Sequence, residues 1–308
     1  MSSSTDSSIP AVANFYLKLY HGIPKANVPF TKFNVSFSLV SAIFLTIVRF
    51  TSEYMLVNSF GWPEGVTTTT EASSCCASIC HSTILCTGLI VAFQTQTYDV
   101  AAKITDQSTP NKWWPDFADA LLQFCTGYMI YDSCINILWL RYDPEVSLLV
   151  PQLIGEDYLF LAHHTVTSIY MISARVIGAG YMSAMVCMLL GELTNPLHNM
   201  YFLGEHAMSL ECCNGPAAQQ FHNAVTIVFA AAYFLFRVVI APPFFASITY
   251  VLLFTKKGRA NVQPLGLNIF WNILIWGVCF GSEGWIRKCY HIVADFFAAA
   301  QQTGGEEL

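Results

Sequence analysis

Seven stretches of about twenty predominantly apolar residues run through the chain, at approximately 35–57, 75–97, 118–140, 158–176, 179–200, 222–250 and 267–287. A helix crossing ~30 Å of hydrocarbon needs about that length. Backbone amides cannot be left bare in lipid, and no ten-residue alternating strand pattern recurs, so each stretch is expected to be a helix. The expected fold is all-α, a multi-pass transmembrane helical bundle of about seven spans. Composition agrees, because 54% of the 308 residues are hydrophobic and only 11% are charged, too little charge to coat soluble domains. Twenty Asp and Glu outweigh fourteen Lys and Arg for a net charge of −6. With no basic cluster larger than Lys256-Lys257-Gly258-Arg259, nucleic acid is excluded as a partner.

The remaining sequence divides around these runs. Residues 1–34 form a polar to amphipathic segment in which Pro10, Asn14 and Lys18 interrupt any signal-peptide core, so the first span is expected to do the targeting. Residues 35–290 form the membrane domain, and 291–308 a short tail. With the N-terminus cytosolic, inner segments hold Lys18, Lys25, Lys32, Lys103, Lys112, Arg175, Lys256, Lys257 and Arg259, and outer segments Arg141, Arg287 and Lys288. That imbalance favours an inside N-terminus. Eleven cysteines lie mostly inside apolar runs without CxxC or His-spaced zinc patterns, so they read as small buried apolar residues, and no cofactor or metal is expected. The adjacent pairs Cys75-Cys76 and Cys212-Cys213 are read the same way.

Ionisable groups within spans are costly, about 2.5–3.5 kcal/mol for Asp, Lys or Arg at a helix centre, so each asks for a partner or a role. Arg49 has Glu53 one turn away, a structural pair. Asp132 in the third span, His163 and His164 in the fourth, Glu192 in the fifth and Arg237 in the sixth remain. Gly178-Ala179-Gly180 forces the fourth and fifth spans into an antiparallel hairpin. At ~1.5 Å per residue the histidines and Glu192 then lie about 22 and 18 Å from that turn, and Asp132 about 12 Å from the opposite end of its span. These four titratable groups are expected in one layer, the reactive set of a polar pocket. Each sits on a polar stripe at helical spacing: Tyr128, Asp132 and Asn136; His164, Thr167 and Ser168; Glu192, Asn195 and Asn199. Tyr128, Asn136, Thr167, Ser168, Asn195, Asn199 and Arg237 are the expected ligand-binding residues. The same depth count puts Arg237 ~10 Å deeper than Glu192. Adjacent helical histidines point about 100° apart, which disfavours a shared metal ion and suits an imidazole base whose tautomer a carboxylate fixes.

The segments Gly127 to Asp132 (GYMIYD), Ala162 to Tyr170 (AHHTVTSIY) and Gly191 to Leu203 (GELTNPLHNMYFL) together resemble the TLC-domain family, which includes ceramide synthases and the translocating-chain-associated membrane protein. The resemblance implies an endoplasmic-reticulum or related endomembrane protein with a six-helix core around a central cavity open to lipid chains. In ceramide synthases the paired histidines belong to the acyl-transfer centre, and His163 and His164 match them. The Glu-x-x-Asn-Pro sequence from Glu192 to Pro196 is similar to the non-synthase members, connected with membrane lipid composition. Three functions follow as expectations: a protein that binds or handles membrane lipids and acyl chains; an acyl-CoA-dependent acyltransferase using His163 or His164 with Asp132 or Glu192; or a structural or translocation accessory protein. Membrane lipids or acyl-CoA are the expected partners, and the oligomeric state is left open.

Overall fold

The computed structural model describes residues 9–29, 31, 33–107, 111–142 and 151–305. Along the chain the helices are α1 (Ala11–Gly22), α2 (Ser36–Phe60), α3 (Thr67–Thr95), α4 (Ile104–Gln107), α5 (Trp114–Tyr131), α6 (Gly155–Ile177), α7 (Tyr181–Glu192), α8 (Asn195–Met208), α9 (Pro216–Phe234), α10 (Ala241–Phe254), α11 (Lys256–Asn261), α12 (Leu265–Gly281) and α13 (Glu283–Gly305). Two π-helical segments, Asp132–Trp139 after α5 and Leu235–Ile240 between α9 and α10, continue their helices without a break. Among the described residues no strand forms; two isolated bridges, Asn27 to Asn34 and Lys103 to Ala179, are the β pairings. The chain is a multi-pass helical bundle. Among the described residues four helical stretches, Ser36–Phe60, Thr67–Thr95, Pro216–Phe254 and Leu265–Ala298, are long and apolar enough to cross a membrane. The other three expected spans are helical as well, but polar groups interrupt the third and fourth, and the fifth breaks at Leu193 and Thr194. Pro196, which has no amide hydrogen to give, stands in the first turn of the restarted helix.

The chain folds as two compact units. The first comprises Met1–Leu45, Ile84–Leu189 and Ile248–Trp271. In it α1 lies on α5 through Tyr16, whose ring meets Phe117 and Phe124 edge-on at 5.7 and 6.0 Å. The Tyr16 hydroxyl donates to the Ile84 carbonyl at 3.0 Å. Helices α5 and α6 are tied at one end by a buried ion pair: Arg175 Nε donates to Asp119 Oδ1 at 2.6 Å. Tyr20 and Gln123 also donate to Asp119, and Arg175 reaches the Asn34 carbonyl. Gly127 matters for packing, since a Cβ there would stand 2.5 Å from the Ser38 carbonyl oxygen on α2. The turn between α6 and α7 uses Gly178 and Gly180 at φ +65° and +76°, a region that favours glycine. A Cβ on Gly180 would also sit 2.6 Å from the Trp271 ring.

The second unit comprises Thr46–Thr83, Leu190–Ser247 and Asn272–Leu308. Helices α8, α9 and α13 pack around buried Tyr201, Val225, Phe229, Ala230, Tyr233 and Cys289. Arg49 and Glu53 pair at 3.2 Å, as their spacing predicts. The π segment precedes Pro242 and Pro243, whose missing amides would otherwise disturb the ladder of a continuous helix. Throughout both units large apolar side chains stay outside: Ile43, Ile47, Val239, Ile273 and Phe280 are more than half exposed, the surface that a bilayer rather than water accommodates.

Candidate functional site

In the first unit two of the expected residues, Asp132 and His164, come together. Asp132 opens the π-helical segment, and its Oδ2 lies 3.3 Å from His164 Nε2 on α6. Its other oxygen accepts from Asn136 Nδ2 at 2.6 Å, so the i, i+4 stripe of the third span is a hydrogen bond. Asn136 also donates to the Tyr131 hydroxyl at 3.1 Å. On the far edge of the same imidazole, His164 Nδ1 stands 3.2 Å from Ser133 Oγ. Adjacent residues of an α-helix point about 100° apart; the wider π turn, with i to i+5 bonding, reduces that step. Asp132 and Ser133 consequently address opposite nitrogens of one ring.

With the Asp132 carboxylate nearest Nε2, the tautomer protonated at Nε2 is the one that would leave Nδ1 to accept from the serine hydroxyl. The His164 side chain is 6% exposed and that of Asp132 16%, so the trio is shielded without being sealed. Tyr128 meets the His164 ring edge-on at 6.3 Å. His163 lies beside it, ring centroids 5.7 Å apart, and Thr167 and Ser168 are half-buried one turn along α6. Sequence spacing identified Asp132, Asn136 and His164, and missed Ser133. Ser133 lies off the i, i+4 stripe on which Asp132 and Asn136 stand, and its place at the imidazole follows from how the π segment packs on α6.

The second unit assembles a separate polar group. Glu192 is buried at the end of α7 and accepts from Asn195 Nδ2 at 2.7 Å. His81 Nδ1 lies 3.8 Å from the same carboxylate oxygen. The break at Leu193 and Thr194 strips the last carbonyls of α7 of intrahelical donors, and Arg237 Nη2 answers one of them, Gly191 O, at 3.0 Å. Arg237 therefore reaches the residue next to Glu192, whereas the depth count separated them. That count assumed the apolar runs begin at one level and took no account of the π segment carrying Arg237, and the side chain's reach closes the rest of the gap. Asn199 Nδ2 bonds back to the Asn195 carbonyl at 2.9 Å. His81 could have been noticed as an ionisable residue within an apolar run, but nothing in local spacing joins it to Glu192. His198 was also overlooked. It stacks on Phe229 at 4.8 Å and 11° and meets Trp285 edge-on at 4.5 Å, while its Nε2 has no hydrogen-bond partner.

Residues 32–288, which hold all these groups, match the family model described as the TLC domain. The chain belongs to the TLC-domain family. No curated protein and no solved structure matches it. Membership makes this TLC-domain chain a membrane protein of a lipid-related family, in line with its apolar helices. Among the described residues no group of three His, Cys, Asp or Glu is placed to hold a metal ion.

Proposed function

We propose that this TLC-domain protein binds membrane lipids or acyl chains and contributes to lipid homeostasis in the endoplasmic reticulum or a related endomembrane. The observation that carries the reading is the Asp132, His164 and Ser133 group, a polar centre inside the stretch that matches the TLC-domain model. In this reading Tyr128, Asn136, Thr167 and Ser168 line the place where a lipid's polar end meets His164, with His163 beside it. Glu192, Asn195, Asn199 and Arg237 form a polar group of their own in the second unit. The Glu-x-x-Asn-Pro sequence supports placing the chain with the non-synthase members of the family. Binding energy would come from the acyl chain, at ~0.8 kcal/mol per buried methylene, while the polar centre selects the headgroup.

Lipid mass spectrometry tests this directly. Protein extracted into native nanodiscs is expected to carry one lipid class above its level in the surrounding membrane, and an H163A/H164A variant of normal thermal stability to lose that enrichment. A wild-type profile matching the bulk membrane, together with an unchanged lipidome in cells lacking the protein, would remove the proposal. A second reading, acyl transfer from acyl-CoA, is favoured by one specific observation, the Asp132 carboxylate 3.3 Å from His164 Nε2, where it can orient an imidazole base. Substitution of both histidines should then abolish transfer and leave the precursor unreacted.

A further inference from the structure

Several hydroxyls within the helices of this chain return to the carbonyl four residues earlier: Ser82 to Ser78 O, Thr95 to Val91 O, Thr126 to Leu122 O and Thr165 to Leu161 O, all within 2.7–2.8 Å. This local bond is the ordinary fate of a helical hydroxyl in an apolar setting. Ser133 departs from it. Its Oγ turns across to α6 and meets His164 Nδ1 at 3.2 Å, on the ring whose Nε2 is engaged by Asp132 at 3.3 Å. Hydroxyl, imidazole and carboxylate in that order make an activated nucleophile, and such contacts are often loose before substrate binds. Asn136 fixes the carboxylate from behind at 2.6 Å. Ser133 is half-buried, and its neighbour Cys134 is exposed, so this turn of the helix can be approached from outside.

We infer that Ser133 is an acyl-accepting nucleophile, taking the acyl group of a membrane lipid ester. The inference rests on the lipid-binding reading of the same centre. Ser133 Oγ attacks the ester carbonyl and its proton passes to His164 Nδ1, while Asp132 stabilises the imidazolium through the Nε2 proton. The Oγ–C bond forms, the bond to the lipid alkoxide breaks, and the alkoxide leaves with the proton held on Nδ1. Water or the hydroxyl of a second lipid then gives its proton to Nδ1 and attacks the acyl-serine. As the acyl–Oγ bond breaks the proton on Nδ1 passes to Oγ, so serine is restored and the acyl group departs as a free acid or a new ester. No electrons are exchanged with an outside reagent.

An alkyl fluorophosphonate, which phosphonylates an activated serine with loss of fluoride, reads this out on the full chain in nanodiscs. Peptide mapping should place the label on Ser133 of the wild type, absent after heat denaturation. H164Q and D132N, checked for native helicity and thermal stability, should label about a hundredfold more slowly or worse. No label on Ser133, or labelling at an undiminished rate in H164Q, would overturn the inference. Lipid analysis of the same preparation separates the two claims. Native lipid retained by protein whose Ser133 stays unreactive removes the nucleophile and leaves lipid binding standing. His164-dependent labelling of protein with no enriched lipid does the reverse.

Discussion

Replacing Arg175 with methionine removes the cation that ties α6 to α5 and to the segment before α2. The side chain is 3% exposed and that of Asp119 18%, so the pair lies largely out of water. Losing one partner of a buried pair costs about 3–5 kcal/mol, chiefly because the other charge is left uncompensated. Asp119 would keep the hydroxyl of Tyr20 at 2.8 Å and the amide of Gln123 at 2.6 Å, which partly solvate it. That places R175M near the lower end, about 3 kcal/mol. A second change, D119N, removes the stranded charge while retaining an oxygen for one of those donors. The double variant R175M/D119N should therefore be more stable than the sum of the single changes by at least about 1 kcal/mol. Unfolding by steric trapping or detergent titration, on all four proteins in one micelle, gives the cycle. Simple additivity, or a loss below about 1 kcal/mol for R175M, would refute the argument that this pair is buried and coupled.

Other consequences can be checked singly. G127A drives a methyl to 2.5 Å from the Ser38 carbonyl oxygen and should cost about 1–3 kcal/mol through overpacking, read as a lower melting temperature in detergent. G180A adds a left-handed backbone, φ +76°, to a clash with Trp271; it should be the more damaging of the two, and equal melting temperatures would contradict that ranking. H198F retains the stack on Phe229 and removes a buried nitrogen without a partner, so its thermal stability should equal or exceed that of the wild type. Burial, followed by the neighbouring Cys212 thiol, pushes the Cys213 thiol up to about 11. Because the thiolate is the reactive form, alkylation of Cys213 should rise about tenfold per pH unit from pH 8 toward that value, and a plateau near pH 8.5 would contradict it.

Helix placement was largely legible in the sequence because lipid length and backbone hydrogen bonding leave few choices. The first apolar run, 35–57, is the helix Ser36–Phe60, and the fourth, 158–176, is Gly155–Ile177. Local spacing also anticipated Asp132 with Asn136, Glu192 with Asn195 and Arg49 with Glu53. The sequence did not foretell how the helices depart from regularity. Neither π segment carries a local signature other than Pro242 and Pro243 after the second, yet Asp132, Ser133 and Asn136 stand on one and Arg237 on the other. The break at Leu193 and Thr194 could be guessed from Pro196, but the donor that answers it comes from a distant helix. Ser133, His81 and His198 owe their surroundings to tertiary packing, which i, i+4 spacing within one helix does not specify.

The site-directed form of the lipid hypothesis is best tested by photocrosslinking. A membrane-permeant fatty acid carrying a diazirine near its carboxyl end would be fed to cells expressing the full chain and activated in place, and the adducts mapped by peptide sequencing. The account predicts adducts concentrated on peptides covering 128–136 and 163–168, lost in D132N and H164Q variants that keep their stability. Adducts spread evenly over the exposed apolar faces, and unchanged by either substitution, would contradict it.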